Sequence, residues 1–290
     1  MQANVQLGEL TTLRIGGTPV RYLHPRSVAE LRSALAECRR DRLAWRVLGG
    51  GSNLLVEEGL LPYAVIHVCA PGFDRIRRPA HAVIGAGAGV PTARLLHYCR
   101  DRGLGGLEFL AGIPGTVGGA VAGNAGAWER HVCNAVRRLR VLRPDGRLKT
   151  VRRAALRCSY RHLELDGSVV VEAEFQLEPR STELIGAQMN RYARQRDERH
   201  PLGVRSAGCV FKNPPGSSAG RLLDLCGLKG TRVGNAEVSR LHANFIINRG
   251  GAAAEDVLRL IELMRRAVRR RFGIELELEV RHWPGRSKAA

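Results

Sequence analysis

Between Ala111 and Trp128 the chain reads Ala-Gly-Ile-Pro-Gly-Thr-Val-Gly-Gly-Ala-Val-Ala-Gly-Asn-Ala-Gly-Ala-Trp. Inside a helix or strand each of those glycines costs about 0.5–1 kcal/mol relative to alanine. The run makes sense where main chain must lie directly against something else, either another stretch of backbone or a ligand that takes hydrogen bonds from N–H groups. A second block, Trp45 through Val56, carries Gly49-Gly50-Gly51-Ser52-Asn53 between two apolar runs. A dinucleotide fingerprint needs a strand, G-x-G-x-x-G and then a helix facing the pyrophosphate. Here a helix pattern precedes the strand and a second short strand follows the glycines. The loop suits phosphate cradling by N–H groups but not in Rossmann order, and a ligand-free glycine hairpin stays open.

The remaining pattern alternates short strands and helices. Ser27 with Glu30 three residues on predicts a capping box opening a helix to Cys38. Thr11–Gly17 reads as a strand entering a glycine turn, and Ala64–Val68 and His81–Gly89 read as further strands. Gly85, Gly87 and Gly89 recur at the strand period, which clears one face for a chain segment or a flat ligand. Pro91–Arg102 is a helix stopped by Gly103, and Thr116–Ala122 a short one. Val136–Leu142 and Leu148–Val151 form a hairpin around Pro144-Asp145-Gly146-Arg147, and Ser168–Leu177 is a strand. Ser181–Arg199 is a long helix leading toward a new domain. Residues 202–216 read as loop, Ala219–Cys226 as helix and 244–248 as strand. Ala254–Arg271 is the last helix. Ile274–Val280 is a closing strand with Glu275, Glu277 and Glu279 sharing one face.

Composition narrows the class. The net charge is +19, yet arginine is spread along the whole chain and lysine occurs only at Lys149, Lys212, Lys229 and Lys288. No aromatic-interleaved basic motif accompanies the charge. That excludes specific nucleic-acid binding as the main function, leaves weak salt-sensitive polyanion binding, and suits an anionic small-molecule substrate. No stretch approaches the roughly 20 apolar residues of a membrane span, and the first residues lack a signal-peptide pattern. A cytoplasmic, monomeric protein is expected. The seven cysteines and nine histidines show no C-x-x-C or H-E-x-x-H spacing, so reduced thiols and no metal are expected.

Taken together, nine blocks in order resemble the UDP-N-acetylenolpyruvoylglucosamine reductases of bacterial cell-wall synthesis, over about Leu10 to Val280. They include Thr12–Gly17, Leu48–Val56, Leu110–Ala127, Tyr160-Arg161, Ala207–Pro214, Ala219–Leu222, Gly227–Gly230, His242–Phe245 and Phe272–Val280. The match is to the shorter subtype without a substrate-covering tyrosine loop. The resemblance implies an α+β fold of three domains. Two (1–66 and 67–182) form a vanillyl-alcohol-oxidase-type FAD-binding unit, a third (183–283) binds substrate, and 284–290 is a disordered tail. It implies FAD as cofactor, NADPH as hydride source and UDP-N-acetylglucosamine enolpyruvate as substrate, reduced to UDP-N-acetylmuramate.

By the same resemblance the catalytic residues are Arg161, Cys209 and Glu279. Arg161 would clamp the substrate carboxylate and the charge beside it. Cys209 stands where most relatives carry serine and would protonate the α-carbon after hydride addition; a thiol with a pKa near 8.5 is a better acid than a hydroxyl. Glu279 would assist protonation and is preferred to Glu277. FAD would contact Gly49, Gly50, Gly51, Ser52 and Asn53 on one side, and Gly112, Pro114, Gly115, Gly119, Gly123 and Asn124 on the other. Tyr160, Lys212 and Asn213 would bind substrate, with Lys229, His242 and Asn244 as further pocket candidates. Thr18-Pro19 and Trp128-Glu129 depart from the family's usual Pro-Ala and Tyr-Gly. The rival readings are a flavin oxidase of the same broad fold and a flavin-free polyanion-binding protein.

Overall fold

The structure is a computed structural model that describes residues 4–286. The chain forms two compact units. One contains Arg21–Gly50 and Tyr63–Arg196, the other residues 4–20, Gly51–Pro62 and residues 197–286. Helices and sheets are mixed in both, an α+β architecture.

The first unit carries most of a three-stranded sheet ordered Thr18–Leu23, Leu60–His67, Trp45–Leu48. The last two run parallel, with Leu48 abreast of His67. Parallel neighbours need a crossover, but here the sequence between them supplies the second glycine block. The helix Val28–Arg40 begins at Ser27, whose hydroxyl accepts from Glu30 N at 3.1 Å. Glu30 returns its carboxylate to Arg26 N rather than to Ser27, so the box is half closed. A five-stranded sheet follows, ordered Leu148–Arg152, Val136–Leu142, Val169–Gln176, Val83–Gly87, Ile76–Ala80. Leu31, Ile66, Ile84, Leu95, Phe109, Val121, Leu139 and Phe175 form one buried core.

The Gly85/Gly87/Gly89 face is occupied by the chain itself. A Cβ on Gly85 would lie 2.9 Å from the Glu172 carboxylate, and one on Gly89 would lie 2.7 Å from the Cys69 backbone. The glycine run is likewise stitched to a neighbouring segment: Val117 N donates to Val90 O, Gly118 N to Ala88 O and Thr92 N to Gly115 O.

The second unit packs the helices Ala219–Leu225 and Ala254–Phe272 against a four-stranded sheet ordered Ser206–Cys209, Phe245–Asn248, Ala236–Val238, Arg232–Val233. Its core joins Leu13, Ile15 and Leu55 to Phe211, Leu223, Ile246, Leu260 and Met264. The Asn248 amide donates to Leu13 O and Thr12 Oγ1 to Ser206 O, so the N-terminal arm is held by polar as well as apolar contacts.

Four expectations are corrected. Thr11–Gly17 is a turn, not a strand: Thr11 Oγ1 donates to Ile15 O and Arg14 takes φ +59°, so local bonds replace a ladder. Residues 202–216 include a strand, Ser206–Cys209, that sequence composition disguised with glycine and alanine. Ile274–Val280 is extended but bridges only through Leu278 to Phe211, and the parallel pairing with Leu54–Val56 begins at Arg281. Finally, not all thiols are reduced. Cys133 and Cys158 form a disulfide with Cα atoms 6.6 Å apart, because folding brings together two segments that spacing alone does not connect. Burial pushes the Cys99 thiol up to about 12, as expected of an inert core cysteine. Of the tail, Gly285 N donates to Glu57 at 2.8 Å; residues 287–290 lie outside the described residues.

Candidate active site

In the first unit the two glycine blocks meet. A Cβ on Gly50 would stand 2.8 Å from Gly115 Cα, and one on Gly49 would stand 2.7 Å from Thr116 Oγ1. Real Cβ atoms do not approach so closely, so this pairing exists only because the side chains are absent. Gly112 and Gly115 adopt φ +75° and +121°, the region that favours glycine. Thr116 precedes the short helix Val117–Ala122. Its hydroxyl is buried and has no hydrogen-bond partner among the described residues. A buried orphan hydroxyl costs about 1–3 kcal/mol unless a ligand completes it. Gly119, one turn into that helix, is exposed, with nothing nearer than 3.7 Å to its missing Cβ. Orphan hydroxyl, bare backbone and open glycine together fit a bound cofactor. Sequence reading passed over Thr116, whose place before a helix resembles an ordinary cap.

Both ends of the run are held by the helix Thr182–Arg199. Trp128, at φ +50°, stacks on Tyr192 with centroids 4.0 Å apart, and the Arg196 guanidinium lies 5.2 Å above the Trp128 ring. Arg196 Nε donates to Ala111 O at 3.2 Å, and its stem fills the space a Gly112 side chain would need.

Arg161 occupies the turn between Cys158–Ser159 and His162–Leu163. Its φ is +58°, a left-handed conformation costing a non-glycine residue of order 1–3 kcal/mol. Arg161 Nη1 donates to Gly126 O at 2.5 Å and its guanidinium lies 5.3 Å from the exposed Tyr160 ring. Asn124 is buried at φ +40°; its amide donates to Ser159 O and its Oδ1 accepts from Cys133 N. Asn124 therefore ties the glycine run to the turn that presents Arg161, and the disulfide closes the same assembly.

In the second unit the segments that carry Cys209 and Glu279 are hydrogen-bonded to each other. Cys209 is half-buried at the end of its strand, and Val210 O accepts from Glu279 N at 2.8 Å. Asn53 Nδ2 donates to Glu279 O at 3.1 Å. Gly51, at φ +63°, packs its bare Cα on the Leu10 carbonyl. Glu279 is half-buried whereas Glu275 and Glu277 are exposed, so the three do not share one environment. Glu277 is an ion-pair partner of Lys212. Glu279 is thus the more buried of the two.

Other pocket candidates have structural partners. Asn213 Oδ1 accepts from Ala219 N at 3.1 Å, capping a helix, and Lys229 pairs with Asp224 at 2.9 Å. Asn244 is buried and makes a two-sided bond to Phe211, accepting from its N and donating to its O. His242 lies over Gly220 and beside His200 and Phe245; burial lowers its pKa. Ser52 and Pro114 flank the cradle loops, half-buried and exposed respectively. Among the described residues no group of three His, Cys, Asp or Glu is placed to hold a metal, and no helix is long and apolar enough to cross a membrane.

Comparisons with known proteins follow the same division. The model of an FAD binding domain matches residues 19–152, and that of the UDP-N-acetylenolpyruvoylglucosamine reductase C-terminal domain matches residues 200–283. The chain is 44% identical to the UDP-N-acetylenolpyruvoylglucosamine reductase of Geobacter metallireducens over 272 residues, 93% of this chain and 90% of that protein. It is 43% identical to the enzyme of the same name from Syntrophobacter fumaroxidans, covering 93% of this chain and 80% of the other. The crystal structure of the Thermus caldophilus reductase superposes with a TM-score of 0.83 at 38% identity, covering 97% of this chain and 98% of that one. FAD is accordingly the cofactor of this chain. The chain belongs to the UDP-N-acetylenolpyruvoylglucosamine reductase family of FAD-dependent oxidoreductases.

Proposed function

We propose that this chain reduces the enolpyruvyl ether of UDP-N-acetylglucosamine enolpyruvate to UDP-N-acetylmuramate, with NADPH as reductant, in the cytoplasmic synthesis of peptidoglycan precursors. The observation that supports the reading is that Glu279 N donates to the carbonyl of Val210, the residue after Cys209, so the segments carrying the two residues, far apart in sequence, are hydrogen-bonded in the second unit. The chemistry that FAD supplies when bound is hydride transfer from nicotinamide to the enolpyruvyl double bond. Gly49, Gly50, Gly115, Thr116 and Gly119 hold it in the first unit, with Gly112, Pro114, Gly123 and Asn124 completing that face.

Arg161 binds the substrate carboxylate and the negative charge that grows beside it as the double bond is reduced. Its left-handed backbone and its bond to Gly126 O fix the guanidinium in advance, so little reorganisation is left for the reaction. Cys209 delivers the proton to the α-carbon, and Glu279, held by its own N–H and by Asn53, supports that transfer. Lys212 and Asn213 lie immediately after the donor and meet the diphosphate, and Tyr160 lines the carboxylate end.

An anaerobic stopped-flow experiment tests the reading. NADPH should bleach the flavin band, and UDP-N-acetylglucosamine enolpyruvate should restore it without oxygen. Recovery only on admitting oxygen would overturn the proposal in favour of an oxidase.

A further inference from the structure

The Gly49–Gly50 peptide has no side chain on either side to fix its orientation, and glycine pairs have access to most of the φ/ψ map. It nevertheless has an anchor. His67 closes the central strand of the three-stranded sheet, abreast of Leu48, and its Nε2 lies 3.1 Å from Gly49 O. Tyr22, on the strand at the other flank, places its hydroxyl 2.5 Å from His67 Nδ1. A carbonyl only accepts, so Nε2 carries the proton, and in the neutral ring Nδ1 then accepts from the Tyr22 hydroxyl. The imidazole is thereby locked in one tautomer.

Two further contacts keep the ring in place. His24 stacks on His67 at 5.6 Å, and Cys69 Sγ sits 3.2 Å from His24 Nε2. Burial and the neighbouring His24 lower the His67 pKa to about 4, and burial pushes Tyr22 up to about 12. Both groups are therefore neutral across the physiological range, as the hydrogen-bond directions require.

We infer that Tyr22 and His67 are positioning residues for the flavin cradle: by holding the Gly49 carbonyl on their side, they point the Gly50 N–H to the cofactor side. The step follows from peptide geometry. In a planar trans peptide the C=O and the N–H lie on opposite sides of the chain, so pinning one aims the other. Without the anchor, the glycine peptide is free to rotate and FAD must order it on binding. The inference rests on the reading of Gly49 and Gly50 as cofactor contacts.

The test measures FAD release from the holoprotein, followed as the rise of free-flavin fluorescence on dilution, alongside thermal unfolding of the deflavinated protein. His67→Ala should speed release by about tenfold, the scale of one lost hydrogen bond. His67→Gln, whose amide nitrogen can replace Nε2 as donor, should recover most of that loss. Tyr22→Phe should fall between the two. Unchanged release in His67→Ala, or His67→Gln as impaired as the alanine variant, overturns the inference. If His67→Ala does not fold, release by Tyr22→Phe equal to wild type overturns it instead. Gly49→Ala separates the two layers: fast release there with normal release in the histidine variants defeats the anchor alone, whereas normal release in Gly49→Ala defeats the cradle reading beneath it.

Discussion

Gly119→Ala is expected to make the deflavinated protein more stable and FAD binding weaker. Gly119 lies inside the helix Val117–Ala122, is exposed, and has only Thr116 Oγ1, at 3.7 Å, near its absent Cβ. That is ordinary van der Waals spacing, so a methyl fits the protein. Alanine in place of a helical glycine should contribute about 0.5–1 kcal/mol, which for a unit of this size raises Tm by roughly 1–4 °C. The same methyl projects beside the orphan Thr116 hydroxyl, where the cofactor is to lie. Forcing it into a filled contact costs about 1–3 kcal/mol, or roughly 5- to 150-fold in Kd. Deflavinated wild type and variant are melted by circular dichroism and then titrated with FAD by flavin fluorescence. Opposite signs in the two measurements cannot come from general damage to the fold. A raised Tm with unchanged FAD affinity would refute the placement of the cofactor over Gly119.

Cys209→Ala should still allow NADPH to bleach the flavin but lose most turnover with the enolpyruvyl substrate, while Cys209→Ser keeps substantial activity; undiminished turnover in the alanine variant removes the thiol as donor. Asn244→Ala should lower stability by about 2–5 kcal/mol, since Phe211 N and O both lose a buried partner; a denaturant midpoint equal to wild type would contradict that role. Glu174→Gln should flatten the acid limb of the stability curve. Burial opposes ionisation of Glu174, but Arg138 at 2.7 Å and Arg77 at 2.6 Å outweigh it and hold the carboxyl below its ordinary range. A depressed folded pKa gives stability that is present above the unfolded value of about 4.3 and is lost as pH falls through the folded one. The arginines are 44% and 45% exposed, so the cost at pH 7 is discounted to about 1–2 kcal/mol. Wild type and variant should converge below pH 4, and a constant gap down to pH 3 would count against the pairing.

What the sequence made legible was local. Ser27 with Glu30 and Pro91 before a helix each act through neighbours a few positions away, and each helix begins where those signals put it. The glycine blocks announced bare backbone but not its partners, because Gly118 facing Ala88, Gly50 facing Gly115 and Gly112 facing Arg196 are the same letter. The misreadings share one cause, which is long range. Ile274–Val280 alternates like a strand, yet the edge beside it is taken up by single bonds to Val210 and Lys212 rather than by a ladder. Asn53 and Glu279, 226 positions apart, are hydrogen-bonded, and no spacing rule reaches that far. Cys133 and Cys158 meet for the same reason. Asn244, a pocket candidate by resemblance, makes a two-sided bond to the main chain of Phe211 that no local pattern foretells.

The charge excess also changes meaning once the pairs are visible. Glu237 is buried and has Arg232, Arg240 and Arg249 around it. Glu172 and Glu174, little exposed, are shared among Arg77, Arg138 and Arg140. A buried carboxylate is tolerable only when paired and hydrogen-bonded, and planar guanidinium forks can surround one where a lysine would contribute a single point charge. Each such cluster therefore leaves more arginines than glutamates as a consequence of holding a sheet face together. Part of the basic balance thus belongs to small separate networks tied to structural carboxylates. A nucleic-acid groove needs the opposite arrangement, a continuous row of cations whose donors are committed to phosphate, and these guanidinium groups are already committed to glutamate.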